Sequence, residues 1–193
     1  MATVIFFLQS NQRMMSKNYT QPVYSWNTSF PNPLLGIEAI VLSGSFIKKK
    51  TAQEFLVMEV SDDDYNIYEL FNGQLTSSQR PSGLHQLVLS RLMLAFWVHV
   101  EKHNLGFIFG KLTAVVLSNL DVPLPDLIFV SKENYHKFDK VVGINGAPDL
   151  VVEILSPTSV NRDKNQKMKL YEKHGISEYW IVYPEYKFIE IYN

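Results

Sequence analysis

Over residues 84–103, Leu84, Leu87, Val88, Leu92, Phe96, Val98 and Val100 recur at helical spacing with no glycine or proline among them, which predicts the longest helix of the chain, closed by Gly106. Upstream, Thr51-Ala52-Gln53-Glu54 has the form of a capping box ahead of Phe55, Leu56 and Met58, so a short helix should begin there. Tyr68-Glu69-Leu70-Phe71-Asn72-Gly73-Gln74-Leu75 then sets Asn-Gly between two β-prone runs, the signature of a tight hairpin. Further strands are expected near residues 107–110, 113–117, 126–130 and 150–155, separated by turn-forming residues. A second helix should run over about 161–174 and stop at Gly175, and strands at 179–183 and 188–192, divided by Pro184, close the chain. The expected fold is α/β, a mixed sheet with helices on its faces.

The first quarter lacks such periods. Ser25-Trp26-Asn27-Thr28-Ser29-Phe30-Pro31-Asn32-Pro33 defines neither helix nor strand, so residues 1–50 are expected to form an irregular N-terminal extension to a domain over 51–193. Met14 and Met15 offer later starts. Lys48-Lys49-Lys50 reads as a solvated boundary, and Asp62-Asp63-Asp64 as a solvated loop, since the alternating ligands, glycine and closing glutamate of a calcium loop are missing.

Composition narrows the chemistry. The chain has no cysteine, which excludes disulfides and thiolate catalysis and leaves metal binding to carboxylates and five histidines. A net charge of −1 gives no overall attraction to nucleic acid, so any such binding must come from a local basic cluster. Val4-Ile5-Phe6-Phe7-Leu8 is too short for a signal core, and the densest apolar stretch, residues 92–98, is too short to span a bilayer, so a cytoplasmic location away from membranes is expected.

The candidate chemistry lies in acids planted in apolar strands. In Asp149-Leu150-Val151-Val152-Glu153-Ile154-Leu155, alternation puts Asp149, Val151 and Glu153 on one face and Leu150, Val152 and Ile154 on the other. An ionised carboxylate in a sheet is costly unless a cation, a proton or a donor answers it. Asp149 is about 13 Å from Glu153 at ~3.3 Å per residue, too far to share one ion. Asp126, at the mouth of Asp126-Leu127-Ile128-Phe129-Val130, can converge with Glu153 if the two strands are neighbours. Two such oxygens suit Mg²⁺ or Mn²⁺. On the following helix, at about 100° per residue, Lys167 points between Leu170 and Tyr171 on the inward side, while Arg162, Lys169 and Lys173 gather on the opposite side as a solvated stripe. An inward lysine needs an anion, and Glu153 is the nearest in sequence. Asp126, Glu153 and Lys167 together make a hydrolytic set suited to phosphodiester cleavage.

These residues resemble the putative restriction endonuclease family, a bacterial branch of the PD-(D/E)xK nucleases. The resemblance spans about residues 51–192. It rests on Tyr68-Glu69-Leu70 with Asn72-Gly73, Ser82-Gly83-Leu84-His85-Gln86, Pro125-Asp126-Leu127, residues 147–157, Asp163, Lys167 and Tyr171, and Glu178-Tyr179-Trp180-Ile181-Val182. It implies a restriction-endonuclease-like core, Asp126 and Glu153 as metal ligands, Lys167 as the catalytic lysine and Glu69 as an acidic contributor. In the parent motif the lysine follows the acid by two residues, where this chain has Leu155, so Lys167 would be a replacement migrated onto the helix. Tyr183 stands where the family often has Asp, and Asn72 and Gln74 where acids are common. For Glu69 the competing expectation is an exposed hairpin acid, and for His85, in the first turn of a helix, a capping or packing role.

The resulting expectation is a Mg²⁺- or Mn²⁺-dependent DNA endonuclease, with Arg162, Lys169 and Lys173 as possible backbone contacts, acting as a homodimer because cutting both strands calls for two sites. The alternative is a nucleic-acid-binding or assembly module that keeps the fold without useful turnover.

Overall fold

The computed structural model describes residues 49–156 and 159–193. The extension expected over residues 1–50, with Met14, Met15 and Lys48, lies outside these but for its last two residues.

The chain enters through α1 (Ala52–Leu56), where the Thr51 hydroxyl accepts from the Glu54 amide and the Glu54 carboxylate accepts from the Thr51 amide, closing the capping box. The hairpin follows as β1 (Ile67–Phe71) and β2 (Gln74–Ser78), paired from Ile67↔Ser78 to Phe71↔Gln74. Asn72 (φ 49°) and Gly73 (φ 76°) both take the left-handed conformation that a two-residue turn of this hand requires. The hairpin is docked rather than free, because Leu70 exchanges both backbone hydrogen bonds with Val122 and the Asn72 amide donates to Asp121 Oδ1 at 2.8 Å.

The long helix α2 (Gly83–His103) starts on the Ser82 hydroxyl, which accepts from the His85 amide. It ends on Asn104, whose left-handed φ of 55° makes the C-cap, and not on Gly106 as the sequence suggested. Gly106 instead opens β3 (Gly106–Gly110), where a Cβ would lie 2.1 Å from the Val130 carbonyl oxygen, so close strand approach is what requires glycine there. The remaining strands are β4 (Val115–Val116), β5 (Leu127–Ser131), β6 (Phe138–Asp139), β7 (Gly143–Asn145), β8 (Leu150–Ile154), β9 (Glu178–Tyr183) and β10 (Phe188–Tyr192). Sequence patterning foresaw neither β6 nor β7, and the strand it placed over 113–117 is only two residues long in the structure; such short strands carry no readable period.

The main sheet runs β10-β9-β8-β5-β3, with β8 and β9 parallel and every other pairing antiparallel. The parallel step needs a crossover, which a helical segment supplies: π-helical turns over Arg162–Lys167 continue into α3 (Met168–Lys173). On one face α2 lays Leu89, Leu92, Phe96 and Val100 against Leu127, Phe129, Leu150, Val152, Ile154 and Trp180. Phe96 and Trp180 meet edge to face at 5.2 Å, and each such side chain contributes about 1.5–3 kcal/mol by burial. Among the described residues α2 is the one helix whose length and composition would also suit a bilayer; this seam buries a third of that apolar window, and Leu87, Leu94, Trp97 and Val98 stay exposed. On the other face Val151 and Ile181 pack under Leu170, Tyr171 and Phe71, and Ile128 and Val130 pack under the small sheet β4-β7-β6 through Val115 and Ile144. The molecule is thus α/β, a mixed sheet flanked by helices. Between α3 and the hairpin, on this second face, charged groups replace the apolar core.

Candidate active site

The alternation along β8 turns Leu150, Val152 and Ile154 to α2 and Val151 to α3, and Glu153 shares the α3 face. Strands β5 and β8 pair through Leu127↔Val152. One step beyond, the continued register sets Asp126 across from Glu153, and the Ile154 amide donates to Asp126 Oδ2 at 2.7 Å. Both acids are buried.

From the crossover, Lys167 Nζ lies 2.7 Å from Glu153 Oε1, 2.9 Å from Glu69 Oε1 and 3.8 Å from Asp163 Oδ1. Only 2 % of this lysine is exposed, so it faces the sheet. Tyr171 donates to Glu153 Oε1 at 2.7 Å. The π-helical turns put Asp163 and Lys167, four apart, on one buried side, an insertion that recurs at functional sites.

Glu69 is not an exposed hairpin acid. It is 2 % exposed, and its Oε1 also accepts from the Leu124 amide at 2.9 Å, because docking of the hairpin across Val122 folds that edge of β1 inward. Arg162 departs from the solvated stripe assigned to it: its side chain is mostly buried, with Nη1 3.6 Å from Glu69 Oε2 and Nε 3.7 Å from Asp163 Oδ1. The widened π turn shifts the phase that a regular 100° count assumes, and so carries Arg162 round to the acids. Lys169 and Lys173 remain exposed, Lys173 within 3.9 Å of Asp121.

His85 is more than a cap. Its amide meets Ser82, but its ring Nε2 lies 3.1 Å from Asp126 Oδ2, while Nδ1 is buried without a hydrogen bond. Asp126 Oδ1 is met by the Lys111 ammonium from the turn after β3. No sequence pattern marks Lys111, which stands in a turn fifteen positions before its acid. Asp163 was legible as half of an Asp-x-x-x-Lys pair at helical spacing.

The two metal-ligand candidates have opposite electrostatics. Burial pushes Asp126 up, but its hydrogen bond with His85 and the Lys111 charge outweigh that and hold it down to about 2. Burial pushes Glu153 up to about 8; Lys167 opposes this, while the carboxylates of Asp163, Asp126 and Glu69 reinforce it. Burial likewise raises Asp163. Burial opposes the charge on Lys167, yet Glu153, Glu69 and Asp163 raise it above the ordinary lysine value, so the ammonium stays charged. The two partners of this pair pull in different senses. Several buried acids crowd one ammonium, and of these burial raises Glu153 and Asp163.

The model of the Uma2 family, described as "Putative restriction endonuclease", matches residues 52–193. The chain belongs to this family. Membership supports a nuclease function, in a family whose fold generally works with divalent metals. Among solved structures the chain is similar to a putative nuclease from Anabaena variabilis, with 19% identity, a TM-score of 0.56, and coverage of 73% of this chain and 83% of that one, a likeness of fold. No curated protein matches the sequence.

Proposed function

We infer that this member of the family is a Mg²⁺- or Mn²⁺-dependent DNA endonuclease, in which Asp126 and Glu153 hold the cation, Lys167 is the catalytic lysine and Glu69 supports it. The observation that carries this reading is the meeting of chain-distant groups at one sheet end: Glu153 on Lys167 at 2.7 Å, Glu69 on the same ammonium, and Asp126 on the amide next to Glu153.

The donor set fits such an ion. Its oxygens are hard, and the pull of three other acids on Glu153 marks a site short of positive charge. Among the described residues no three acids or histidines converge to cage an ion, so a cation here would rest on the two carboxylates and keep several waters, as Mg²⁺ can. A cation held there supplies Lewis-acid activation of water and compensation of charge at phosphorus. Glu69 and Asp163 keep Lys167 protonated, so that it can donate to a phosphate oxygen, while Tyr171 fixes the Glu153 rotamer. Lys169 and Lys173, exposed, can meet the DNA backbone. A homodimer belongs to the proposal, because duplex scission calls for two sites.

The test is supercoiled plasmid incubated with Mg²⁺ or Mn²⁺: nicked or linear product is expected, abolished by chelation and by Glu153→Ala. Equal cleavage by that variant overturns the assignment of Glu153. One observation favours the second reading, a binding or assembly module without turnover: Lys111 and His85 satisfy Asp126, and Lys167 and Tyr171 satisfy Glu153, with no ion needed. Calorimetry showing no divalent-cation binding, with DNA binding intact, would select it.

A further inference from the structure

A cleft of about 550 Å³ opens between α1, the loops that flank the hairpin and the start of α2. The Arg80 guanidinium lies 4.1 Å from the centre of the Tyr65 ring, and Tyr65 is 59% exposed, so a flat cation–aromatic surface is held ready at the cleft wall. Gln86 adds an amide able to donate and to accept, and Asn66 presents its amide oxygen, its NH2 donating at 2.8 Å to the carboxylate of Asp64, which also lines the cleft, over an apolar floor that includes Phe55 and Met58.

The cleft is joined to the acid cluster through one side chain. Lys111 lines it, yet its ammonium reaches Asp126 Oδ1 with a fifth of the side chain exposed. The next residue, Leu112, also lines the cleft with φ at 75° and is 63% exposed. A left-handed leucine costs about 1–2 kcal/mol, and strain of this kind persists where a loop is held for a purpose. Gln86 likewise follows His85, which meets Asp126 from the other side.

A planar platform, paired amides and an adjacent ammonium fit a heteroaromatic base with polar edges and the phosphate attached to it. A base still stacked in a duplex cannot enter a recess of this kind. We propose that the cleft walled by Tyr65 and Arg80 receives an unstacked nucleotide of the substrate beside the scissile phosphate, with Lys111 contacting its phosphate, so that a duplex must unpair locally where it is cut and an already single strand binds more readily. This rests on the nuclease reading of the Asp126–Glu153 site.

Binding is measured by fluorescence anisotropy in EDTA, which removes chemistry and metal from the readout. The probe is a fluorescein-labelled mixed-sequence oligodeoxynucleotide, single-stranded or annealed to its complement. The wild type is expected to prefer the single strand, and Tyr65→Ala and Arg80→Gln each to weaken that binding about tenfold or more while leaving duplex binding alone. Tyr186→Ala, an exposed tyrosine elsewhere, should change nothing. Unaltered thermal unfolding of each variant certifies its fold. Wild-type affinity in both cleft variants, or equal affinity for both probes, overturns the inference even if plasmid is cut. A wild type that neither binds nor cuts removes the nuclease reading as well.

Discussion

Replacing Glu153 by glutamine removes one proton equilibrium and little else, since the amide keeps the carboxyl's shape and its oxygen can still accept from Lys167 and Tyr171. Burial with three neighbouring acids raises the folded value of Glu153 from 4.5 to about 8. Its contribution to stability is therefore fully present below about 4.5 and is lost as pH rises through about 8, because the unfolded chain ionises first. At about 1.4 kcal/mol for each tenfold change in acidity, the wild type loses on the order of 5 kcal/mol across that window of about 3.5 pH units through this one group. Denaturant unfolding of both proteins between about pH 5 and pH 8.5 should give curves that coincide at the acid end and separate towards the alkaline end, with the glutamine variant flatter and more stable there. Asp163, raised in the same sense, leaves a residual slope in both. Parallel curves would refute the reasoning, because they would mean that Glu153 is ionised throughout and that Lys167 neutralises it fully.

Two further outcomes follow from the same cluster. Lys167→Met leaves Glu153, Glu69 and Asp163 without their shared ammonium and should cost about 3–5 kcal/mol near neutral pH, less at about pH 5, by urea unfolding; a loss under about 1 kcal/mol contradicts the ion-pair geometry. Asp126 is held from 3.8 down to about 2, so its stabilisation is present above 3.8 and disappears as pH falls through about 2; Asp126→Asn should flatten the acid limb of a stability profile in that range, and an unchanged limb counts against the His85 and Lys111 contacts.

What could be read beforehand was local or periodic. Alternation separated Glu153 from Val152 and Ile154, Asn72-Gly73 announced the hairpin, and the position of Lys167 between Leu170 and Tyr171 turned it inward, as observed. What escaped depended on tertiary docking or on a break in period. Glu69 is buried because Leu70 pairs with Val122 across fifty residues of chain, a contact without a sequence pattern. Arg162 was misplaced because π-helical turns do not keep the α-helical phase. Lys111 lies in an irregular turn, and β6 and β7 are too short for alternation to register.

Glu69, Asp126, Glu153 and Asp163 place four buried acids beside Lys167, Arg162 and Lys111, so with a neutral imidazole at His85 the cluster stands one positive charge short if every acid ionises. A protein can bury that arrangement only by adding a proton or a cation, and burial among acids raises Glu153, which favours the protonated form there. In the proposed function the two solutions are alternatives at the same oxygens: a proton keeps the folded chain stable when the cation is away, and the cation replaces it when bound. Lys111 extends the argument to Asp126, since an ammonium already occupies the position that a metal would compete for. Its partial exposure lets its ammonium move into solvent, which would leave the buried Asp126 carboxylate to an incoming cation; Lys167, enclosed by its acids, has no such exit. In the proposed function the two lysines would divide the work by burial: the enclosed one as a fixed part of the site, and the partly exposed one exchanging the carboxylate for a phosphate.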